Sequence, residues 1–210
     1  MIKILYEDNH VLVALKPKGV LSQADGSDKE DMLTLLKDYI KEKYHKPGNV
    51  YLGLVHRLDL FTSGIMVFAR TSKAASRLTQ QVKDRTFMKK YLAIVEGKLE
   101  GSKTLKSYLL KNEKEKKSYP HPNGAEAILS YTAIDFKEDK TLLDITLETG
   151  RFHQIRCQLS SIGHPLYGDV KYGSHHKIDF YEFPLEAYFL RFKHPIKNEL
   201  MTFEYKSLHL

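Results

Sequence analysis

The sequence has a single cysteine, Cys157, and no tryptophan among its 210 residues. One cysteine excludes an internal disulfide framework, so the fold does not depend on covalent cross-links. No apolar run reaches the roughly 20 residues that a membrane-spanning helix needs. The first residues include an acid, Glu7, and lack the basic, apolar and small-residue order of a signal peptide. We therefore expect a cytoplasmic protein that has no membrane partner.

The composition and the periodicity indicate a globular α+β protein. A hydrophobic content of 42% over this length suits one globular unit, or two small lobes that share a core. Predicted strands outnumber about three helices, which favours a mixed, mostly antiparallel sheet. We treat residues 1–210 as a single domain and expect a monomer, because no sustained heptad pattern is present.

Local patterns place the predicted elements along the chain. Helices are predicted at residues 30–44, from Thr71 or Ser72 to about Asp84, and at 152–162, with Gly163 as a C-terminal stop. Strands are predicted as a pair within 3–15 and at 64–69, 87–95, 126–136, 141–148, 187–193 and 199–205. The first helix would bury one side, formed by Leu33, Leu36, Ile40 and Tyr44. Residues 111–124 are rich in charge, proline and glycine, which is typical of a mobile hairpin or loop.

Positive charge is concentrated in one segment. The formal net charge is +7, and residues 70–106 alone hold ten basic residues and three acidic ones. Clustered positive charge attracts polyanions at long range, whereas mere solubility is the ordinary alternative. The clustering favours RNA or DNA as a partner, with affinity that falls steeply as salt is raised.

The run at residues 56–64, His-Arg-Leu-Asp-Leu-Phe-Thr-Ser-Gly, places one carboxylate in a tight turn. Asp59 follows a largely apolar segment and precedes a predicted buried strand that begins after Ser63. Functional side chains often lie on loops that a rigid scaffold fixes. Asp59 is therefore a candidate catalytic acid, and the alternative is a turn-capping residue whose ion-pair partner is Arg57.

A second run, Thr-Gly-Arg-Phe-His-Gln-Ile-Arg at residues 149–156, begins the third predicted helix. In that helix His153 and Arg156 share one face, and Arg151 and His153 lie in the first turn, where free backbone N–H groups favour anions. This arrangement predicts a site for a phosphate or a carboxylate. An ordinary basic helix face is the alternative.

Taken together, these motifs resemble the RluA-type RNA pseudouridine synthases. The resemblance rests on residues 56–64 and 149–156, on Gly-His-Pro-Leu-Tyr-Gly-Asp at 163–169, on Lys-Pro-Lys-Gly-Val at 16–20, and on Lys-Lys-Tyr-Leu-Ala-Ile-Val-Glu-Gly at 89–97. All occur in the family's order. The resemblance implies the pseudouridine synthase fold, a mixed, mostly antiparallel sheet flanked by helices with a central catalytic cleft. Many relatives carry an extra N-terminal RNA-binding domain, and this sequence begins with the catalytic motifs, so we expect the catalytic domain itself to select the RNA.

The resemblance also implies roles for individual residues. Asp59 matches the catalytic aspartate, Tyr91 the tyrosine that stacks on the target uracil, and Arg156 the basic residue that pairs with the aspartate. Arg57 matches a residue that probes the space left by an extruded base. Leu60 and Phe61 depart from the basic residue and proline that many relatives carry there, which puts local RNA contacts in doubt.

The implied reaction converts uridine to pseudouridine within ribosomal or transfer RNA and needs no cofactor. The target base must leave its stack, at a cost of roughly a few kcal/mol. Asp59 then either attacks the sugar or removes a sugar proton, and the sequence leaves both routes open. The residues expected to contact RNA are Arg57, Thr62, Lys73, Arg77, Lys83, Arg85, Lys89, Lys90, Arg151, His153 and Gln154.

Two other functions compete with this interpretation. A metal-dependent hydrolase would use some of the ten histidines, but the sequence has no His-x-x-x-His pattern and no cysteine pair, so we predict no metal site. A non-catalytic RNA-binding module of the same fold could lose Asp59 or Tyr91 without consequence. Both residues are present, which favours catalysis.

Overall fold

The computed structural model describes residues 2–210, which form eleven β-strands and three α-helices. The strands are β1 (Lys3–Glu7), β2 (Val11–Lys16), β3 (Gly53–Leu54), β4 (Ser63–Ala69), β5 (Met88–Glu96), β6 (Ser102–Asn112), β7 (Lys117–Pro120), β8 (Ala125–Lys137), β9 (Lys140–Leu147), β10 (Leu185–Lys193) and β11 (Leu200–Glu204). The helices are α1 (Met32–Lys43), α2 (Ser72–Lys83) and α3 (Gln154–Ser161). The α+β class expected from the sequence is confirmed.

The chain divides into two compact units. The first contains residues 2–87 and 189–205, and the second contains residues 88–188 and 206–210. Among the described residues no helix is long and apolar enough to cross a membrane.

The first unit is built on the strand order β1-β2-β4-β10, with β3 also paired to β4 and β11 paired to β10. The β1–β2, β2–β4, β3–β4 and β10–β11 pairs are antiparallel. Its core joins distant segments, because Val11 and Val67 cluster with Leu190 and Phe192. The apolar residues of β2 and β4 are fully or almost fully buried, so these strands give the unit a rigid centre.

Both helices of the first unit begin at a capping residue. Asp31 caps α1, where its carboxylate accepts the N–H of Thr34, and Thr71 caps α2, where its hydroxyl accepts the N–H of Ala74. Helix α2 begins and ends close to the predicted positions. Its buried residues, Ala74 and Leu78, are four apart and lie on the inner face.

The second unit is an antiparallel array in the order β5-β9-β8-β6-β7. The β8–β9 hairpin turns at Glu138 and Asp139, which both have positive φ, as a two-residue hairpin turn requires. Helix α3 packs against β6 and β7 and buries Ile155 and Leu159. Gly163 has a φ of +85° and follows α3 as the predicted stop.

Three details of the sequence interpretation were wrong. Strand β6 was not predicted, although the hairpin that it forms with β7 turns within residues 111–124, where a hairpin or loop was expected. Helix α3 begins at Gln154 and ends at Ser161, so it is shorter than the predicted 152–162. Helix α1 buries Met32, Leu36 and Ile40, whereas Tyr44 is 44% exposed. A strand is recognised from the alternation of apolar and polar residues. In β6 charged and polar residues interrupt that alternation, so the sequence signal for a strand is weak.

Gly124, at the entrance to β8, is required by close backbone packing. A Cβ at this position would lie 2.4 Å from the carbonyl carbon of Leu109 on β6, and backbone cannot move aside cheaply. We expect Gly124→Ala to lower the free energy of unfolding by about 1–3 kcal/mol, the usual cost of overpacking. Chemical denaturation measures this, with Gly48→Ala as the control, because a Cβ at Gly48 meets no atom within 4 Å. Equal stability of the two variants would contradict the close contact.

Candidate active site

Asp59 lies in a short turn that backbone and side-chain hydrogen bonds fix on both sides. The N–H of Thr62 donates to the carbonyl of Asp59 at 3.0 Å. The buried hydroxyl of Ser22 donates to the carbonyl of Leu58 at 2.8 Å and accepts the N–H of Leu58 at 3.0 Å. Leu58 is itself buried, so the residue before the candidate carboxylate is anchored while Asp59 remains partly exposed.

His56, the first residue of the motif, anchors the turn to β4. Its Nε2 accepts the N–H of Val67 at 3.1 Å, and its ring lies edge-on to Phe87 with centroids 5.3 Å apart. Because Nε2 accepts, the neutral ring carries its hydrogen on Nδ1. His56 is 9% exposed, so it serves as a buried support for the turn.

Lys16 connects the Lys-Pro-Lys-Gly segment to the turn after Asp59. The side chain is 1% exposed, and Nζ donates to the carbonyls of Pro17 at 2.9 Å, Val20 at 2.6 Å and Leu60 at 3.1 Å. The Leu60 carbonyl also accepts the N–H of Gly19 at 2.9 Å. Three acceptors match the three N–H hydrogens of an ammonium group, so one buried cation holds both loops together.

Burial lowers the pKa of Lys16 from 10.5 to about 7, and the negative charge of Asp59 acts in the opposite direction. Desolvation disfavours the charged form, whereas a nearby carboxylate favours it. The candidate catalytic aspartate and the buried lysine are therefore electrostatically coupled, and the turn that carries Asp59 is sensitive to the charge beneath it.

The lowered pKa of Lys16 predicts how the free energy of unfolding depends on pH. Below pH 7 both the folded and the unfolded chain hold the Lys16 proton; between about 7 and 10.5 only the unfolded chain holds it. The unfolded state then binds more protons, so stability should rise with pH above 7, by at most about 1.4 kcal/mol per pH unit from this group. Urea unfolding from pH 6.5 to 8.5 should show a smaller slope in Lys16→Met than in wild type. The exposed Lys46→Met is the control, and an unchanged slope in Lys16→Met would refute the assignment.

In the second unit, the second motif centres on Arg156, which is 6% exposed. Its Nε donates to Asp169 Oδ2 at 2.7 Å and its Nη2 to Asp169 Oδ1 at 2.8 Å, which forms a bidentate pair. Its Nη1 lies 2.9 Å from His153 Nε2. The guanidinium also lies over the rings of Tyr172 and Phe183, with its central carbon 4.9 and 5.3 Å from their centroids. Arg156 is thus held in one orientation by charge, hydrogen bonds and ring faces.

His153 is a neutral acceptor in this network. Burial, with a further contribution from the positive charge of Arg156, lowers its pKa to about 2. Arg156 can only donate, so His153 Nε2 accepts and Nδ1 carries the hydrogen, which it donates to the Tyr172 hydroxyl at 3.0 Å. That hydroxyl also accepts the N–H of Ser118 at 2.8 Å, which ties the network to β7.

The predicted first-turn placement of Arg151 and His153 was wrong, because α3 begins one residue after His153. His153 is the N-cap and has a left-handed φ of 51°. The N–H of Arg151 donates to Gln154 Oε1 at 3.0 Å, and its Nε donates to the carbonyl of Glu126 at 2.8 Å. The buried Gln154 side chain also accepts the Thr149 hydroxyl and donates to Gln158. The Gln154 side chain thus stabilises the first turn of α3 and the loop that precedes it.

The remaining predicted residues occupy several environments. Tyr91, on β5, is 5% exposed and in register with Ile145, a position that also suits a tyrosine that fills the core. Thr62 is 2% exposed. Arg77 Nη1 donates to the carbonyl of Pro195 at 2.6 Å, and Lys90 forms an ion pair with Asp144 at 3.6 Å. Arg57, Lys73, Lys83 and Arg85 are exposed.

Sequence reasoning gave no role to Lys16 or Asp169, although both stood in the quoted motifs. The strand Val-Leu-Val-Ala-Leu-Lys offers a usable signal that Lys16 is buried. Alternate side chains of a strand share one face, so the lysine shares the face of buried Leu12 and Ala14. Asp169 gave no local signal, since it follows Arg156 by thirteen residues. Among residues 2–210 no three His, Cys, Asp or Glu side chains come together as a metal site.

Removal of the negative charge of Asp169 tests how much its pair with Arg156 stabilises the protein. Asp169→Asn should lower the free energy of unfolding by about 3–5 kcal/mol, because a buried guanidinium would lose its only bidentate anion among the contacts described above. The surface pair of Lys98 and Glu100 provides a control, since both side chains are more than half exposed. Glu100→Gln should leave the free energy of unfolding nearly unchanged, because exposed ion pairs contribute little. A similar small change in Asp169→Asn, measured by urea unfolding, would contradict the inferred importance of the pair.

Comparison with known proteins decides the family. Residues 10–161 match the family model described as RNA pseudouridylate synthase, which covers more than two thirds of the chain. The chain belongs to the RNA pseudouridylate synthase family. It is therefore an RNA pseudouridine synthase, and pseudouridine synthases are isomerases. Lys16, Asp59, Tyr91 and Arg156 all lie inside the matched residues, and Asp169 lies beyond them.

Relatives support the RluA-type assignment. The uncharacterized RNA pseudouridine synthase YlyB of Bacillus subtilis is 35% identical over 204 residues, which cover 96% of this chain and 67% of the relative. The ribosomal large subunit pseudouridine synthase D of Nitrosomonas europaea is 37% identical over 174 residues, which cover 82% of this chain and 50% of the relative. The chain thus spans about half to two thirds of the length of these relatives.

A solved structure gives the same fold. Human RNA pseudouridylate synthase domain containing 4 superposes with a TM-score of 0.79 and 22% identity, covering 97% of this chain and 88% of the human one. At this identity the likeness supports the fold. The pseudouridine synthase fold implied by the sequence motifs is confirmed, and neither the hydrolase nor the non-catalytic module is favoured.

Proposed function

We propose that this RNA pseudouridine synthase isomerises uridine in ribosomal RNA and that Asp59 is its catalytic carboxylate. The observation that carries the proposal is the family match around Asp59, together with the fixed turn in which Asp59 lies. The large-subunit names of relatives such as that of Nitrosomonas europaea support ribosomal RNA over transfer RNA. Transfer RNA is the second candidate substrate.

The reaction breaks the bond between C1′ of the ribose and N1 of uracil and forms a bond between C1′ and C5. The base turns before it reattaches, and the proton on C5 is exchanged for one on N1. Asp59 acts as an ionised carboxylate, either as the nucleophile at C1′ or as the base that removes a sugar proton. Both routes need a carboxylate whose backbone does not move, which the hydrogen bonds of Leu58 and Thr62 support.

We propose that Arg156 is the cationic partner of Asp59. Arg156 is held in place by hydrogen bonds to Asp169 and His153. A guanidinium is planar and always charged, and its N–H groups can bind a carboxylate in a fixed orientation. Arg156 would then favour the ionised form of Asp59 and fix its direction, while Asp169 fixes Arg156.

We further propose that Tyr91 stacks on the flipped uracil. Stacking of a base on an aromatic ring is worth roughly 1–3 kcal/mol. The tyrosine hydroxyl has a second possible use, as an aid to proton removal from C5. The buried position of Tyr91 on β5 supports a fixed ring, as a stacking platform requires.

The wider organisation follows from these assignments. We propose that residues 1–210 act as one catalytic domain with a central cleft, in a cytoplasmic monomer that uses no cofactor. The RNA backbone would contact the basic segment, with exposed Lys73, Lys83 and Arg85 as phosphate contacts and Arg57 near the extruded base. A mainly structural role is proposed for five of the predicted RNA-binding residues, through their hydrogen bonds or burial: Thr62, Arg77, Arg151, His153 and Gln154.

The test is tritium release from ribosomal RNA transcribed with C5-tritiated uridine, because C5 loses its proton only when the base reattaches through that carbon. We expect release by wild type and background release by Asp59→Asn, which has the same shape and no charge. Asp135→Asn, which removes an exposed carboxylate on β8, should match wild type.

Binding to the same RNA separates a catalytic defect from a folding defect. Asp59→Asn should retain RNA affinity within about threefold, since a lost carboxylate removes no phosphate contact. Wild-type rates in Asp59→Asn would overturn the catalytic assignment. Release from transfer RNA alone would replace the ribosomal substrate and leave Asp59 in place.

A further inference from the structure

Lys89 is a lysine on the core-facing side of a strand. Successive side chains of a strand point to opposite faces, so Lys89 and Tyr91 share one face of β5. Across the sheet, Lys89 is in register with Leu147, which pairs with Leu129, which in turn pairs with Leu105. All three leucines are at most 8% exposed. An ammonium group therefore ends a row of buried aliphatic side chains.

Within residues 2–210, no carboxylate or hydrogen-bond acceptor of the chain bonds to the Lys89 ammonium. Burial is the sole cause that lowers its pKa, and no neighbouring charge opposes it. The next residue, Lys90, differs in orientation and in pairing. Its side chain points to the other face of β5 and forms an ion pair with Asp144 at 3.6 Å. A partly buried cation without an anion costs stability, so its retention favours a function.

The loop beside Lys89 leaves room for this ammonium. A Cβ at Gly150 would lie 3.3 Å from Lys89 Nζ, closer than side chains normally pack. The loop is fixed on both sides of Gly150. The Thr149 hydroxyl accepts the N–H of Ile128 at 2.8 Å, and the Arg151 N–H donates to Gln154 Oε1 at 3.0 Å. The second motif therefore supplies a rigid wall of backbone against the lysine.

We propose that Lys89 binds one backbone phosphate of the RNA strand at the nucleotide whose base stacks on Tyr91. This inference rests on the proposed role of Tyr91. Residues two apart on a strand are separated by about 6.6–6.8 Å, so the cation and the ring lie within the span of one nucleotide. Phosphate is the anion that RNA offers at every residue, and such contacts fix register without reading sequence.

The proposed contact differs from general attraction by the basic surface. Exposed lysines such as Lys73 attract RNA from solution and remain hydrated. Lys89 is already partly desolvated, so a phosphate that reaches it gains more from the charge than it would in water. Lys89 would thus position the target nucleotide beside Tyr91, in addition to holding the strand.

The experiment uses the full chain with three variants and in vitro transcribed large-subunit ribosomal RNA carrying C5-tritiated uridine. Lys89→Met removes the charge and keeps the length of the side chain, Lys89→Arg keeps the charge, and Lys137→Met, at an exposed lysine of β8, is the control. RNA affinity is measured from 50 to 200 mM salt, and kcat and KM are measured by tritium release.

For Lys89→Met we expect weaker RNA binding, a raised KM, and a slope of log K against log salt that is smaller in magnitude by about 0.7–0.9, the value for one phosphate contact. Lys89→Arg should restore most of the slope, and Lys137→Met should match wild type. Thermal unfolding of Lys89→Met should occur at or above the wild-type temperature, because an unpaired buried charge is removed. A structural role alone would lower that temperature.

Three results would overturn the proposal. They are a wild-type salt slope in Lys89→Met, an equal loss in Lys137→Met, and a lower unfolding temperature of Lys89→Met with unchanged RNA affinity. Failure of the proposed function gives a different result, since wild type would then bind RNA without releasing tritium while the slope measurement still reports on Lys89.

Discussion

The burial of one ammonium group beneath the Asp59 turn is the constraint on which the first unit's site depends. Backbone carbonyls that are removed from water must find donors, and here three of them converge on Lys16 Nζ. Their segments, residues 17–20 and residue 60, are far apart in the sequence. A single side chain therefore fixes the loop that follows β2 against the loop that precedes β4. A reactive carboxylate needs this kind of support, because small displacements at a reacting centre are costly.

The second unit solves a related problem with the opposite arrangement of charge. Arg156 is a buried cation whose hydrogens are distributed between a carboxylate and a neutral imidazole, and its two faces are covered by aromatic rings. The chain of bonds continues through Tyr172 to the backbone of β7. Each polar group in this chain has a partner, as a buried network must. Lys89 stands in contrast, since burial alone lowers the pKa of its ammonium group and no comparable network surrounds it.

Features with a local cause could be predicted from the sequence, and features with a distant cause could not. Thr71 and Gly163 act through their own neighbours, and Thr71 caps the start of α2 while Gly163 follows the end of α3, both as expected. Strand β6 was missed because only Leu105 and Leu109 are buried apolar positions, whereas Tyr108 and Leu110 are exposed among polar residues and blur the alternation. Asp59, Tyr91 and Arg156 were found through motifs. The role of Lys16 was hidden because its partners are backbone carbonyls, and sequence letters do not encode these.

The core of the first unit has a consequence for the order in which the protein forms during synthesis. Leu190 and Phe192 pack with Val11 and Val67, so residues that are synthesised much later complete the core that β2 and β4 begin. When residue 87 leaves the ribosome, strands β1 to β4 still lack β10 and β11. About a hundred further residues must be synthesised before the apolar surface of these strands is covered, although N-terminal segments usually fold first. Exposed apolar strands of this kind are prone to aggregation, so chaperones that bind nascent chains would protect them.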